Sequence, residues 1–103
     1  MFTIIKKQTR LNKDIPFYID KYPTNEEYNI YFYEKFVKTN KFINAEKRLI
    51  DNDTVLVSVS NWSSHSAFIE FTTDEYCHNN LIVPNGSYDR TYNIETEFSI
   101  IEE

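Results

Sequence analysis

The stretch from residue 53 to residue 71 constrains the fold more than any other part of the chain. In its first half, valine recurs at every second position and alternates with leucine and serine, which predicts a strand with one buried face. The valines are Val55, Val57 and Val59. Trp62 ends this strand and Ser64 suits a helix start, after which Ala67 and Phe71 have the spacing of a helical apolar face. The change of period predicts a strand–turn–helix unit.

Three further strands are predicted, at residues 2–9, 42–50 and 91–101. The short polar turn from Asp51 to Asp53 separates the second strand from the third, so these two should form an antiparallel hairpin.

Two helical regions are predicted between the strands. The first begins at a capping box, with Thr24 as the cap and Glu27 three residues later, and runs to about Thr39. Its inward stripe is expected to consist of Ile30, Tyr33, Phe36 and Val37, with Phe32 at the edge. The second follows Trp62 and is extended by one or two short turns that start at residues 73–75.

The remaining segments are predicted to be irregular. Residues 11–23 are a loop that should fold back onto the domain, because it contains Phe17 and other apolar residues. Residues 81–83 form a short apolar plug before a turn at residues 84–86.

The order of elements is therefore β-α-β-β-α-β in a single domain, residues 1–103. Right-handed crossovers and the central hairpin predict an α+β, ferredoxin-like fold, with a four-stranded antiparallel sheet and both helices on one face. The other face is expected to carry Glu46, Arg48, Leu56, Ser58, Ser60 and Trp62. An apolar patch on that face would favour self-association into a dimer or a higher oligomer.

Charge and cysteine content argue against several classes of protein. The net charge is −5 and the lysines are scattered, which argues against a nucleic-acid partner. The lone Cys77 excludes an internal disulfide and favours a reducing compartment. No run reaches membrane-spanning length, and the first residues lack the charge order of a secretory signal. We therefore expect a protein of the cytoplasm, or of a virion if it is phage-encoded, without a membrane partner.

The element order and the segment from Val57 to Phe68 resemble the antibiotic-biosynthesis-monooxygenase-like group of dimeric α/β barrels. In that group a third strand commonly ends in Trp, followed by a small residue and a helix that carries Ala and Phe, as Trp62, Ser63 and Ala67 do here. The resemblance implies a dimeric barrel. For Asn61 and Trp62 it implies a role in binding an aromatic substrate and steering oxygen chemistry without a cofactor.

A second resemblance concerns the stretch from residue 9 to residue 18, which is similar to short proteins of marine tailed phages. It implies a virion component, with other virion proteins as partners.

The main candidate site has a structural alternative. A Trp at a strand–helix junction commonly fills the core, and strand alternation puts Asn61 on the opposite face from Trp62. His65 lies too close to Trp62, and His78 too far from it, to match the haem-degrading relatives. Cys77 and its neighbours His78, Asp74 and Glu75 offer too few converging ligands for a closed metal site. No cofactor and no metal are therefore expected.

Two further groups of residues are weaker candidates for a site. Glu95 and Glu97 share a strand face and could do acid–base work, but on an acidic protein a solvated pair is expected. Tyr28 and Tyr31 on the first helix are interface candidates, because tyrosine is enriched at interfaces, although an aromatic-rich chain uses tyrosine everywhere.

The sequence thus predicts a non-enzymatic, self-associating structural or accessory protein, phage-encoded and a virion component, with Leu56, Trp62, Glu46, Arg48, Tyr28 and Tyr31 at its interface. The alternative is a small cofactor-independent monooxygenase-like enzyme that acts on an aromatic molecule through Trp62 and Asn61. An enclosed pocket lined by Trp62 would favour the enzyme. A filled core would favour the structural protein.

Overall fold

A computed structural model describes residues 1–102 of the chain. Four strands form one antiparallel sheet: β1 (Phe2–Thr9), β2 (Phe42–Ile50), β3 (Val55–Trp62) and β4 (Glu95–Glu102). Their order across the sheet is β2-β3-β1-β4, so that β1 and β3 lie in the centre and β2 and β4 are the edges. With helices between β1 and β2 and between β3 and β4, this is the predicted ferredoxin-like arrangement.

The helical layer consists of short α-helices joined by two π-helical segments. The α-helices are α1 (Tyr18–Lys21), α2 (Glu26–Phe32), α3 (His65–Thr73), α4 (Glu75–Cys77) and α5 (Val83–Thr91). The first π segment, Tyr33–Val37, continues α2, and the second, His78–Ile82, joins α4 to α5. In the first, the N–H of Lys38 donates to the carbonyl of Tyr33, five residues back. Each π segment widens its turn and shifts the phase of the side chains that follow.

The first helix differs from its prediction in cap and in orientation. Asn25 caps α2 through its side chain, which accepts from the N–H of Tyr28 at 2.8 Å, whereas the hydroxyl of Thr24 donates to the side chain of Asn29. Tyr28 and Phe36 are buried, but Ile30 and Tyr33 are 56% and 53% exposed. Of the predicted stripe, Phe36 is buried and Val37 is half-buried, but Ile30 and Tyr33 were wrong. The buried side of this helix instead runs through Tyr28, Phe32 and Phe36, at intervals of four residues, and Phe32 packs at the edge of the core as predicted.

The segment before β4 also differs from its prediction. The predicted turn at residues 84–86 is instead part of α5, with Pro84 in the first turn, where its missing N–H breaks no helical bond. Strand β4 begins at Glu95 rather than at residue 91. Residues 11–17 fold back as expected, and Phe17 is 1% exposed, while α1 forms inside the predicted loop.

The strand register shows which residues lie on the face of the sheet that the helices cover. Phe2 lies opposite Trp62, and Gln8 lies opposite Leu56, and directly opposed residues share a face. Phe2, Leu56 and Trp62 are all at most 5% exposed and pack against the helical layer. The prediction that the uncovered face carries Leu56, Ser58, Ser60 and Trp62 was therefore wrong. The reason is that alternation shows that β3 has two faces without showing which one the helices cover.

The uncovered face, here named the open face, carries the other half of each strand. Along β3 it shows Val55, Val57, Val59 and Asn61. Glu46 and Arg48 of β2 lie opposite Val59 and Val57, so these two charged residues are on the open face, as predicted.

The covered face supports two apolar clusters. The aromatic cluster is built on Phe2, Ile4, Tyr28, Phe36, Trp62, Ala67 and Cys77. The second cluster is smaller and consists of Phe17, Leu56, Tyr88 and Ile94. Between the two clusters the covered face carries polar residues. Lys6 and Ser58 lie opposite each other there, in the middle of β1 and β3.

Candidate functional site

Trp62 is the centre of the aromatic cluster. It is 3% exposed, and five phenylalanine rings surround it with centroid distances from 5.0 to 6.4 Å. They are Phe32, Phe36, Phe42, Phe68 and Phe71. The indole Nε1 donates to Ser60 Oγ at 3.0 Å, so the polar atom of the ring is satisfied within the strand. Trp62 therefore fills the core in the described structure.

Asn61 points the other way. Its side-chain oxygen accepts from the Thr3 hydroxyl at 2.6 Å, and its amide nitrogen donates to the side chain of Asn44 at 2.7 Å. These three polar residues form a row across one end of the open face. Asn61 and Trp62 thus lie on opposite sides of the sheet, as alternation requires, and do not share a pocket.

The open face has an aliphatic centre and charged margins. Ile5, Val57 and Val59 lie in the middle strands, and Ile101 on β4 is 47% exposed. One row across the sheet holds Arg48, Val57, Lys7 and Glu97. The margin on β2 carries Arg48 and Glu46, and the margin on β4 carries Glu95 and Glu97. In the row that holds Arg48 and Glu97, the two edges therefore have opposite charge.

The strongest polar cluster lies on the helical layer and was not predicted as a site. Asp74, whose side chain is 3% exposed, accepts hydrogen bonds from the Tyr31 hydroxyl and from the ammonium of Lys35. The Lys35 ammonium also donates to the Tyr31 oxygen at 3.2 Å. Tyr31 and Lys35 are four residues apart and so lie on one helical face. That spacing was readable from the sequence, but the partner 39 residues away was not.

The bonding of Asp74 sets its charge state. Burial by itself would raise the pKa of Asp74, but hydrogen bonds from Lys35, from the backbone N–H of Cys77 and from Tyr31 outweigh burial and lower the pKa to about 2. The same contact with Asp74 raises the pKa of Lys35. Both groups are therefore charged over the whole physiological range, and the cluster is a fixed ion pair rather than a proton donor or acceptor.

Tyr28 and Cys77 lie beneath this cluster. Tyr28 is 7% exposed and Cys77 is fully buried. Burial raises the pKa of both groups, to about 11 for the Cys77 thiol. A neutral, buried thiol is a poor nucleophile and a poor metal ligand. Of the two predicted interface tyrosines, Tyr28 is thus a core residue, and Tyr31 is held by Asp74 with its ring 4.4 Å from that of Tyr76.

Two depressions mark the outer surface of the helical layer. The larger, of about 670 Å³, lies between the two π segments and is lined by Tyr31, Lys35, Glu70, Thr73, Asp74, Glu75, Tyr76, Asn79 and Asn80. The smaller, of about 180 Å³, lies where the loop before α2 meets Tyr76 and Leu81. Neither is lined by Trp62 or Asn61.

A second buried carboxylate lies at the other end of the covered face. Asp89 of α5 is 7% exposed, and its Oδ2 accepts from Gln8 Nε2 at 2.9 Å and from the Thr96 hydroxyl at 3.5 Å. Its Oδ1 is buried and accepts no hydrogen bond from residues 1–102. Burial raises the pKa of Asp89, against the opposing effects of Gln8 and Lys6.

The remaining predicted candidates are dispersed. His65 is exposed with its ring 4.8 Å from that of Phe2, and His78 is exposed at the start of the second π segment. Within residues 1–102 there is no group of three His, Cys, Asp or Glu side chains arranged to hold a metal ion. None of the helices in the described part of the chain combines the length and the apolar character that a membrane crossing needs.

Comparison with known proteins identifies the fold. No family model and no curated protein matches the chain. Among solved structures, the chain is similar to a dimeric ferredoxin-like protein from an uncultured marine organism, at 7% identity and a TM-score of 0.65 over 100% of this chain and 94% of that one. The fold is ferredoxin-like.

Two further solved structures are oxygenases by their descriptions. One is SnoaB, a cofactor-independent oxygenase from Streptomyces nogalater, with 16% identity and a TM-score of 0.61 over 99% of this chain and 91% of that one. The other is an antibiotic biosynthesis monooxygenase, with 14% identity and a TM-score of 0.57 over 100% of this chain and 98% of that one. The predicted resemblance to this group is confirmed at the level of structure. At sequence identities this low, structural similarity supports a shared fold but not a shared activity.

Proposed function

We propose that the chain is a self-associating, non-catalytic protein whose open face packs against the open face of a second copy. The observation that carries this proposal is the aliphatic centre of that face, formed by Ile5, Val57 and Val59, on a sheet whose other side is covered by helices along its central strands β1 and β3. At the edges of the covered face, Leu49 of β2 and Phe98 and Ile100 of β4 remain exposed. The description of similar structures as dimeric ferredoxin-like proteins supports it.

The size of the open face suits a stable interface. Four strands about 4.8 Å apart, three of eight residues and one of nine, at about 3.3 Å per residue, present roughly 500 Å² in projection. Side chains enlarge the accessible area of such a face, and a standard interface buries about 800 Å² per partner.

The charges at the margins are consistent with a two-fold arrangement. A two-fold axis that runs along the strands stacks β2 of one copy over β4 of the other. Because Arg48 and Glu97 lie in the same row across the sheet, this arrangement brings the Arg48 margin over the Glu97 margin. Opposite charges at a rim favour one docking orientation more than they add affinity.

The competing function is a cofactor-independent oxygenase, and the similarity to SnoaB favours it. Two observations weigh against it. The surroundings of Trp62 are filled by phenylalanine rings, and Asn61 is bonded to Thr3 and Asn44 on the opposite face. None of the structures named above is described as a phage or virion protein, so the proposal extends to self-association and not to a virion.

The test is the oligomeric state of Val59→Lys. In a monomer the new ammonium lies beside Glu46, so the variant should fold, but in the dimer it is buried in an aliphatic interface. We expect wild type to sediment as a dimer and Val59→Lys as a monomer with an unchanged circular dichroism spectrum. Ile30→Lys, an equal change at an exposed position of α2, is the matched control and should remain a dimer. A monomeric wild type, or a dimeric Val59→Lys, would refute the proposal.

A further inference from the structure

The two π-helical segments border the same surface depression. Lys35 comes from the first segment, and Asn79 and Asn80 come from the second, and all three line the larger depression of about 670 Å³. A π turn is less stable than an α turn, and isolated π turns are found frequently at functional sites because they redirect side chains. Here both π segments contribute side chains to one depression. This makes the depression the strongest candidate for a binding site on the helical layer.

The depression also contains a pre-positioned polar group. The Lys35 ammonium is fixed by Asp74 and by Tyr31, which leaves one of its three N–H donors for another acceptor, and its side chain is 39% exposed. A ligand that binds to this donor meets a lysine that has already lost its rotamer freedom. Such pre-organisation lowers the entropic cost of binding.

The other lining residues offer unused hydrogen-bonding groups of both kinds. Glu75 and Asn79 are exposed, and their side chains make no hydrogen bond within the described residues. Asn80 donates through Nδ2 to the carbonyl of Tyr76 at 2.8 Å, which leaves its side-chain oxygen as an acceptor. The depression thus presents ammonium and amide donors together with carboxylate and amide acceptors.

The charges of the lining disfavour ionic ligands. Lys35 is neutralised by Asp74, and Glu70 is paired with Lys41 at 2.7 Å. An anion would approach three carboxylates, those of Glu70, Asp74 and Glu75, and a cation would approach the Lys35 ammonium. An uncharged molecule with several hydroxyl groups can donate to the carboxylates and accept from Lys35 at the same time.

We infer that the depression between the two π segments is a binding site for a small, uncharged, polyhydroxylated molecule of the saccharide class. Lys35 and Asn79 would bond to hydroxyl oxygens, and Glu75 and Asn80 would accept from hydroxyl hydrogens. The site lies on the helical layer, away from the open face, and so is accessible in the monomer and in the proposed dimer.

The inference is tested by titrating ¹⁵N-labelled wild type with glucose, galactose and N-acetylglucosamine, with sodium phosphate and putrescine as charged probes. At least one sugar should cause saturable shifts of the amide signals of residues 73–80 and of Lys35. If no sugar causes saturable shifts there, the site is refuted. If phosphate or putrescine does so and the sugars do not, the ligand class is wrong.

Variants test the placement of the site. Asn79→Ala and Glu75→Ala should each weaken the sugar affinity about tenfold, equivalent to about 1.4 kcal/mol and to the loss of one well-formed hydrogen bond. Both residues are exposed, so neither change should alter the fold. Asn29→Ala, at an exposed position of α2 outside the depression, is the control and should bind as wild type does. Unchanged affinity in both test variants would overturn the assignment.

Discussion

The helical layer has two halves, of which the first packs on the aromatic cluster and the second packs on the smaller cluster around Tyr88. Each half packs an apolar cluster against the covered face and contains one buried carboxylate, which is Asp74 between helices in the first half and Asp89 beside Gln8 of β1 in the second. In the first half, Asp74 caps α4 and has both of its oxygens engaged. In the second half, Asp89 leaves one buried oxygen without a hydrogen bond from residues 1–102. The first half also has a buried polar atom without a hydrogen bond from residues 1–102, the Tyr28 hydroxyl, so we expect any larger contribution of this half to stability to come from the packing of its aromatic cluster.

The two halves also differ in how deeply their rings are buried. Five phenylalanine rings surround Trp62. Three tyrosine rings contact Tyr88 in the second cluster, and two of them, Tyr22 and Tyr92, are exposed. The second half depends more on polar contacts with the folded-back loop. The Tyr88 hydroxyl donates to the carbonyl of Pro16 at 2.5 Å, and Arg10 lies 4.4 Å over the ring of Phe17.

The largest expected effect is that of removing Trp62. Trp62→Ala deletes the ring at the centre of the aromatic cluster and should lower the free energy of unfolding by about 3–5 kcal/mol. Leu56→Ala, at a position of similar burial in the second cluster, should cost less, about 2–3 kcal/mol, because fewer large side chains surround the cavity. Urea denaturation of both variants measures the difference. Because Leu56→Ala removes the smaller side chain, equal losses would show that the second half contributes at least as much stability as the first. A stable Trp62→Ala would show that Trp62 is not a core residue.

The sequence predicted the topology of the fold because the period of the strands is local information. Val55, Val57 and Val59 mark β3 unambiguously, but the same alternation is compatible with either face pointing inward. The choice is made by the residues that meet Trp62 from α2 and α3, and these come from distant parts of the chain. Sequence patterning therefore identified the strand correctly but exchanged its buried face and its uncovered face.

The polar cluster on the helical layer shows a similar limit. The spacing of Tyr31 and Lys35 could be read from the sequence as a helical pair, and Asp74 was recognised as part of a helix start. What joins them is the packing of α2 against α4, which no local pattern encodes. The π segment at residues 33–37 has no sequence signal that we can name, and the stripe predicted for α2 was already wrong at Ile30, before that segment begins, because Tyr28 and Phe32 are the residues that face the core.

The next largest expected effect is the loss of stability at acid pH that Asp74 causes in the first half. The pKa of Asp74 is lowered from its usual value to about 2, so the ionised carboxylate contributes stability above about pH 4, and this contribution is lost as the pH falls to about 2. The expected loss is about 2 kcal/mol, at about 1.4 kcal/mol per pKa unit. Asp74→Asn should lack this contribution at pH 7 and approach wild type near pH 2. Denaturation of both proteins from pH 7 to pH 2 checks this, and a constant difference across that range would contradict it.

The smallest effect has the opposite sign and concerns the second half. Burial raises the pKa of Asp89, so its neutral form is the one the fold favours, and the stability gained from protonation is full below about pH 4 and is lost as the pH rises through the raised pKa. Asp89→Asn removes this titration while keeping an oxygen that can accept from Gln8. The stability of the variant relative to wild type should therefore improve between pH 4 and pH 7, by less than the change caused by Asp74. Asp14→Asn makes the same charge change at an exposed position and serves as the control for the loss of one negative charge. If Asp89→Asn instead loses stability relative to wild type as the pH rises, the Lys6 ammonium is a stronger partner of Asp89 than its burial implies, and the second half is no weaker than the first.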